Sequence, residues 1–295
     1  MDFRGLHEEY IQFLETIFFT TLGKEVSILE YQFLSGGCIN QTIQATTSAG
    51  TFFVKWNESM EEDFFACEAK GLTLLKEAGE ISVPEVIGYG QNGQKTYLIL
   101  EFLPFTYAKS NYWADLGTSL ARLHTHSQPE FGLSYPNYIG SLPQTNTAYT
   151  NGVDFFIECR LKPQVGLAVY NQLMPQTLYT KFQHLYTRLP DIFPNEKPAL
   201  LHGDLWHGNV LIGKDGYATL IDPAVYYGNR EAEIAFTYLF GGFEPDFYDA
   251  YVEATPLEPG FTERKAIYNL YPLLVHLNLF GSGYLSGIEQ TLQPF

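Results

Sequence analysis

The run Leu200-Leu201-His202-Gly203-Asp204-Leu205-Trp206-His207-Gly208-Asn209-Val210-Leu211-Ile212, followed by Ile221-Asp222-Pro223-Ala224, decides the reading of this chain. It opens as a short apolar strand, passes through a tight polar loop and returns as a second apolar strand. Ala218 to Ile221 is a third apolar run, and a hairpin of short strands would set Asp222 beside Asn209. Asp204 is a carboxylate, and Asn209 offers an amide oxygen five positions on. A carboxylate plus an amide oxygen is hard-oxygen ligation, suited to Mg²⁺, which leaves Asp204 to hold a substrate hydroxyl. A base Asp, a metal-binding Asn five residues later and a second metal-binding Asp beyond it are the parts of kinase-type phosphoryl transfer. The spacing of five carries little alone. The flanking His-Gly-Asp and Ile-Asp-Pro make it specific, against the plainer reading of a polar turn with an Asp cap.

The rest of the composition narrows the class. With 295 residues, 45% hydrophobic and 16% aromatic, the chain can build one large domain or two lobes. No apolar run reaches the roughly 18 residues of a membrane span. Met1-Asp2-Phe3-Arg4-Gly5 lacks a signal pattern, and three irregularly spaced cysteines make neither a disulfide framework nor a zinc site. The expected compartment is the cytoplasm. A net charge of −16 argues against a nucleic-acid partner. It suits a cationic or amine-bearing substrate, and equally plain solubility.

Outward from the central run, the first hundred residues read as a sheet with helices. Leu6 to Leu22 has helical spacing and ends at Gly23; Val26 to Leu34 reads as a strand. Ser35-Gly36-Gly37-Cys38-Ile39-Asn40-Gln41 breaks it, and glycines in a strand-to-strand turn let backbone approach a phosphate. Ile39 to Thr47 and Thr51 to Trp56 follow as strands. Lys55 lies in the latter, either an edge charge or a phosphate ligand. Glu61 to Ala78 reads as a helix carrying Glu68. A strand Lys paired with a helix Glu is the kinase arrangement for the α- and β-phosphates, with Glu62 as the other candidate partner. Val83 to Gly90 and Thr96 to Phe102 are two more strands, and Glu101-Phe102-Leu103-Pro104 would be a hinge that binds adenine through backbone groups.

The remainder looks helical. Helices are expected over Tyr112 to His126, Asp154 to Tyr170 with a possible interruption at Pro163, Leu173 to Arg188, Arg230 to Leu239, Pro245 to Glu253, and Glu263 to Phe280. Phe131 to Thr150, rich in Gly, Pro, Asn and Tyr, reads as an ordered loop. His124 reads as a satisfied core histidine. A mixed lobe before a helical lobe is α+β: a small antiparallel sheet plus helix over residues 1–102, and a larger, mainly helical catalytic and substrate lobe over 103–295.

The chain resembles the fructosamine kinases (ketosamine-3-kinases), within the aminoglycoside-phosphotransferase-like, protein-kinase-like group. The resemblance rests on Gly36-Gly37-Cys38-Ile39-Asn40, Phe53-Val54-Lys55, Glu68-Ala69-Lys70-Gly71-Leu72, Val83-Pro84 and Arg160-Leu161-Lys162-Pro163-Gln164. It continues through His202 to Asn209, Asp222 to Glu231, Leu239 to Phe243 and His276 to Gly281. The family usually has His where Asn229 and Pro272 stand, which bears on the sugar pocket more than on the chemistry. It also usually has Trp just before Phe155-Phe156, where Gly152-Val153-Asp154 stands here.

The resemblance implies ATP-dependent phosphorylation of the 3-hydroxyl of ketosamines, free or protein-bound, with Mg²⁺ and ATP as cofactors. The product is unstable and releases the amine, so the outcome is deglycation. Asp204 would be the catalytic base, and Asn209 and Asp222 the metal ligands. Gly36, Gly37, Cys38, Asn40, Lys55, Glu68, Glu101, Phe102 and Leu103 would bind nucleotide; Trp206 and His276 would face the substrate. A cysteine in the loop of Cys38 is proposed in that family as a redox switch through inter-chain disulfides, so the chain is expected to be a monomer or a redox-linked homodimer. Gly203 stands where most protein kinases have the Arg that clamps a phosphorylated loop, and little room separates Asp222 from Glu233. That pattern suggests a constitutively assembled small-substrate kinase. Kinases of other amino-bearing molecules (aminoglycosides, choline, homoserine) and a nucleotide-binding scaffold are the competing readings.

Overall fold

A computed structural model describes residues 3–34 and 39–295. Helix α1 spans Phe3–Leu22 and stops at Gly23, whose left-handed φ of 67° suits glycine and whose N–H donates to Phe19 O at 2.9 Å. Five strands follow: β1 Ile28–Phe33, β2 Gln41–Thr47, β3 Gly50–Asn57, β4 Val86–Asn92 and β5 Lys95–Glu101. They pair antiparallel in the order β1-β2-β3-β5-β4. Helix α2, Phe64–Ala78, lies between β3 and β4 in sequence.

Strand alternation decides what each helix covers. Val54 and Trp56 of β3 and Tyr97 and Ile99 of β5 pack with Phe13, Leu14, Ile17 and Phe18 of α1. The intervening Leu98 and Leu100 pack with Phe64, Phe65, Ala69 and Leu72 of α2. Lys55 lies between Val54 and Trp56 and so falls on the α2 side. The period of two therefore aims this lysine at α2.

The second lobe is mainly helical. It holds α3 Tyr112–Leu123, α4 Gly152–Phe155, α5 Lys162–Tyr170, α6 Gln176–Ile192 and α7 Arg230–Thr237. Helices α8 Pro245–Ala254, α9 Phe261–Tyr268, α10 Leu270–Phe280 and α11 Leu285–Thr291 complete it. Its core includes the fully buried Leu161, Phe182, Leu185, Leu189, Leu274 and Leu277. This is the two-lobed α+β arrangement expected. Among the described residues no helix is long and apolar enough to cross a membrane.

Three local expectations need correction. The loop expected over Phe131 to Thr150 contains a short hairpin, β6 Asn137–Ile139 with β7 Leu142–Gln144. Its strands are too short and polar for periodicity to reveal. The helix expected from Asp154 is interrupted before Pro163 rather than at it. Phe156–Leu161 is π-helical, and Lys162 N–H reaches back five residues to Ile157 O. Proline lacks an N–H and its ring crowds the carbonyl four residues back, and the wider turn relieves that conflict. The helix expected from Glu263 to Phe280 is two. Asn269 interrupts it and donates Nδ2 to Ala235 O at 2.8 Å, which leaves Pro272 in the first turn of α10, where a missing N–H costs little.

Candidate active site

Four short strands hold two loops side by side. β8 (Ala199–Leu201) pairs with β11 (Tyr226–Gly228), and β9 (Val210–Ile212) pairs with β10 (Ala218–Leu220). The 202–209 loop joins β8 to β9, and the 221–225 loop joins β10 to β11. Ile221 N–H donates to Asn209 O at 3.1 Å and Ala224 N–H to His202 O at 2.9 Å, so the expected hairpin does set Asp222 beside Asn209. His202 stitches the loops through its ring. Nδ1 accepts from Asp204 N–H at 3.3 Å, so the proton sits on Nε2, which donates to Ile221 O at 2.9 Å. Burial favours the neutral ring and lowers its pKa.

Gly203 is required here. Its φ is 84°, and a Cβ would lie 2.0 Å from Ala224 O. No side chain, least of all an arginine, fits at this position.

Asp204 and Asn209 are bound to each other. Asn209 Nδ2 donates to Asp204 Oδ2 at 2.9 Å and to Asp204 O at 2.8 Å. With both amide protons used, Asn209 Oδ1 is turned away from Asp204 and keeps its acceptor capacity. Burial raises the Asp204 carboxyl to about 7, against the stabilising Asn209 bond. Asp222 is different: its side chain is 49% exposed. Its φ of 52° is a left-handed conformation that Asp tolerates better than most residues, and such strain gathers at functional sites.

The lysine on β3 reaches both partners expected of it. Lys55 Nζ lies 2.5 Å from Glu68 Oε1 on α2 and 2.8 Å from Asp222 Oδ1. Two carboxylates outweigh the penalty of burying its ammonium and raise its pKa. Burial pushes the Glu68 carboxyl up to about 7 against the pull of Lys55. Glu62 is exposed and is not the partner. Asn40 Oδ1 accepts from Asn57 Nδ2 at 3.1 Å, tying the end of the glycine turn to β3. Gly36, Gly37 and Cys38 lie outside the described residues. Glu101 ends β5, where its carboxylate pairs with Lys214 and accepts from Glu85 N–H at 3.1 Å. Phe102 and Leu103 continue, half-buried, as the link between lobes.

A narrow cleft opens beside Asp204, lined by Gly203, Tyr226, Glu233, Tyr271, Pro272 and His276 among others. His276 is half-buried; its Nδ1 lies 2.8 Å from Pro272 O, and its ring packs on Phe240, Phe280 and Tyr284. Trp206 is 38% exposed, packs edge-on to Phe240 and folds over Gly208, where a Cβ would meet the indole at 2.3 Å. Trp206 therefore sits on the surface of the loop rather than in the core beneath it. Pro272 lines the cleft, but Asn229 does not. Asn229 is buried against Gly152.

Glu233 escaped the sequence reading. From α7 this buried carboxylate accepts His202 N–H at 3.1 Å and Gly203 N–H at 2.7 Å. Its Oε2 lies 3.0 Å from His124 Nε2, and His124 Nδ1 lies 2.7 Å from the Tyr251 hydroxyl. Burial opposes its charge, but these donors win and hold it below the usual carboxylate range. His124 is thus the satisfied core histidine expected, and it supports the loop from below. The Arg230-Glu231-Ala232-Glu233 run gave no sign of which acid turns inward, because both Glu231 and Glu233 do.

The fructosamine kinase family profile matches residues 11–295. A Synechocystis sp. (strain ATCC 27184 / PCC 6803 / Kazusa) protein named "Probable ketoamine kinase" is 40% identical over 277 residues, 92% of this chain and 92% of its own. The chloroplastic protein-ribulosamine 3-kinase of Arabidopsis thaliana is 38% identical over 280 residues, 93% of this chain and 85% of its own. A crystal structure from Haemophilus somnus 129PT, named for fructosamine-3-kinase, superposes with a TM-score of 0.85 at 29% identity, over 95% of this chain and 96% of that one.

Proposed function

Because the chain belongs to the fructosamine kinase family, we propose that it transfers the γ-phosphoryl group of ATP to the 3-hydroxyl of a ketosamine, a sugar joined to an amine. The phosphorylated adduct then releases its amine, so the net result is deglycation. One observation carries the reading: Asp204, at the cleft, is bonded to Asn209, the loop of Asp222 is hydrogen-bonded beside theirs, and Lys55 is clasped between Asp222 and Glu68.

In this reading Asp204 takes the proton of the attacking hydroxyl. A carboxyl raised toward 7 is poised for that role, a stronger base than an ordinary carboxylate and still substantially ionised near neutral pH. Asn209 Oδ1 and Asp222 would hold Mg²⁺. The fit is good: the amide oxygen is turned away from Asp204, the Asp222 carboxylate is half-exposed, and hard oxygens with room for phosphate and water suit this ion. When bound, Mg²⁺ neutralises charge on the phosphates. Lys55 orients the α- and β-phosphates, and Glu68 fixes Lys55. Backbone of Glu101, Phe102 and Leu103 receives adenine; Gly36, Gly37, Cys38 and Asn40 cradle the phosphates. Trp206 and His276 face the sugar adduct. The chain runs from Asp222 into β11 and then α7 at Arg230, which leaves no length for an activation loop, so the site is permanently assembled.

Kinases of aminoglycosides, choline or homoserine share the Asp-to-Asn loop but not the Tyr226-Tyr227-Gly228 and His276 stretches. A scaffold would have no use for the assembled Lys55, Asp204, Asn209 and Asp222. The test is ATP turnover across glycated amines, aminoglycosides and choline. Turnover of ketosamines, lost by a factor on the order of 10²–10⁴ in Asp204→Ala with nucleotide binding kept, is expected. Turnover restricted to another acceptor, or near-normal kcat in Asp204→Ala, would overturn the assignment.

A further inference from the structure

Arg160 takes no part in the chemistry above, yet it is fully buried and charged. It lies in the π-helical turn, its guanidinium 3.8 Å from the Tyr226 ring centroid and 4.6 Å from that of Phe155. Among the described residues none of its hydrogen-bond partners is a carboxylate. Nη1 donates to Thr145 O at 2.7 Å and Cys159 O at 3.0 Å, and Nη2 to Asn146 Oδ1 at 2.8 Å.

A guanidinium only donates, and a backbone carbonyl only accepts. Together they fix the direction of every bond in the buried amide chain that starts at Arg160. Asn146 Oδ1 accepts from Arg160, so Asn146 Nδ2 donates, to Tyr135 O at 3.2 Å and Asn137 Oδ1 at 2.7 Å. Asn137 Nδ2 then donates to Val225 O at 2.9 Å. Gln144 Nε2 donates to Asn137 Oδ1 at 2.8 Å and to Ala224 O at 3.1 Å. Gln144 Oε1 is left as an acceptor, and the Tyr271 hydroxyl donates to it at 2.6 Å. Tyr271 lines the cleft with Asp204 and Tyr226. Its single proton is committed to Gln144, so its oxygen has only lone pairs to offer any further partner.

We propose that Tyr271 is a specificity-determining residue that accepts a hydrogen bond from the phosphoryl acceptor, and that Gln144, held by the Asn137–Asn146–Arg160 chain, is the positioning residue that imposes this polarity. The site then selects molecules that present an N–H or O–H donor to Tyr271. This rests on the kinase reading. For a ketosamine the donor is the protonated linking amine or a sugar hydroxyl.

The test is steady-state kinetics of the full chain with ATP and fructosyl-lysine or ribulosyl-lysine. Tyr271→Phe should leave the ATP KM within about twofold and raise the acceptor KM, about three- to tenfold if a sugar hydroxyl is the donor and about ten- to a hundredfold if the protonated amine is. Gln144→Met frees the hydroxyl proton to turn, and should raise the acceptor KM in the same way. The double variant should be no worse than Tyr271→Phe alone, because both act through one oxygen. An adduct quaternised at nitrogen separates the two donors. If the amine N–H is the donor, this adduct binds wild type and Tyr271→Phe equally; if a hydroxyl is, the difference persists. An unchanged acceptor KM in Tyr271→Phe, or effects that multiply and raise both KM values together, would overturn the proposal. A wild-type enzyme that phosphorylates only some other acceptor would overturn the ketosamine reading alone, and the Tyr271→Phe split measured on that acceptor then decides this one.

Discussion

Replacing Asp204 by Asn should stabilise the fold while abolishing turnover. Burial raises the carboxyl from 3.8 to about 7. At about 1.4 kcal/mol per unit that is about 4 kcal/mol of penalty on the ionised form. Asp204 is only partly buried, so solvent screens the charge, and about half of that is the better expectation. Asn keeps an oxygen to accept from Asn209 and carries no charge to desolvate. The sign follows from linkage. The folded-state pKa lies above the unfolded one, so wild type loses stability as pH rises from about 4 to about 7 and is flat above. Asp204→Asn has no such titration. Its advantage over wild type should therefore be small near pH 4.5, open between pH 5 and 7, and level off at about 2 kcal/mol. For a chain of this size that is a Tm gain of about 3 °C at pH 8. Paired calorimetric scans across pH 4.5–8.5 measure it. A gap of constant size across that range, or a less stable Asp204→Asn at pH 8, would refute the claim that the site holds a strained carboxylate.

The same raised carboxyl predicts that kcat/KM for the acceptor falls about tenfold per pH unit below about pH 7; a flat profile down to pH 5 would remove Asp204 as the titrating base. Gly203→Ala, forced into a left-handed conformation against Ala224 O, should cost more than about 2 kcal/mol, and an unchanged Tm would contradict the geometry. Glu231→Ala strands Arg264, whose Nη2 and Nε lie 2.6 and 2.8 Å from the two Glu231 oxygens, and should cost about 3–5 kcal/mol by chemical denaturation. A small loss there would mean that solvent reaches the pair. Trp206→Ala should raise the acceptor KM by about two- to thirtyfold through a lost contact with the adduct's ammonium, with the ATP KM unaffected; equal rises in both with a lower Tm would assign Trp206 to packing.

Local pattern was enough for much of this protein. The Asp204–Asn209–Asp222 loops were legible because the turn between two short apolar strands is a local matter, and the Asp-to-Asn spacing is set within it. The kinase arrangement of a strand Lys and a helix Glu made Lys55 and Glu68 readable as a pair but left Glu62 open, and the packing of β3 against α2 chose between them. Tertiary structure alone decided the rest. Glu233 reaches the loop from an element about thirty residues on, and nothing in its neighbourhood separates an acid that caps backbone N–H groups from one that pairs with an arginine, as Glu231 does. The break at Asn269 exists because its side chain finds a carbonyl on α7. The amide chain from Arg160 to Tyr271 draws on the π-helical turn, the β6–β7 hairpin and α10, three segments with no shared periodicity. A buried polar group must be satisfied by whatever the fold brings near it, and that partner is a property of the packing, which no single stretch of sequence encodes.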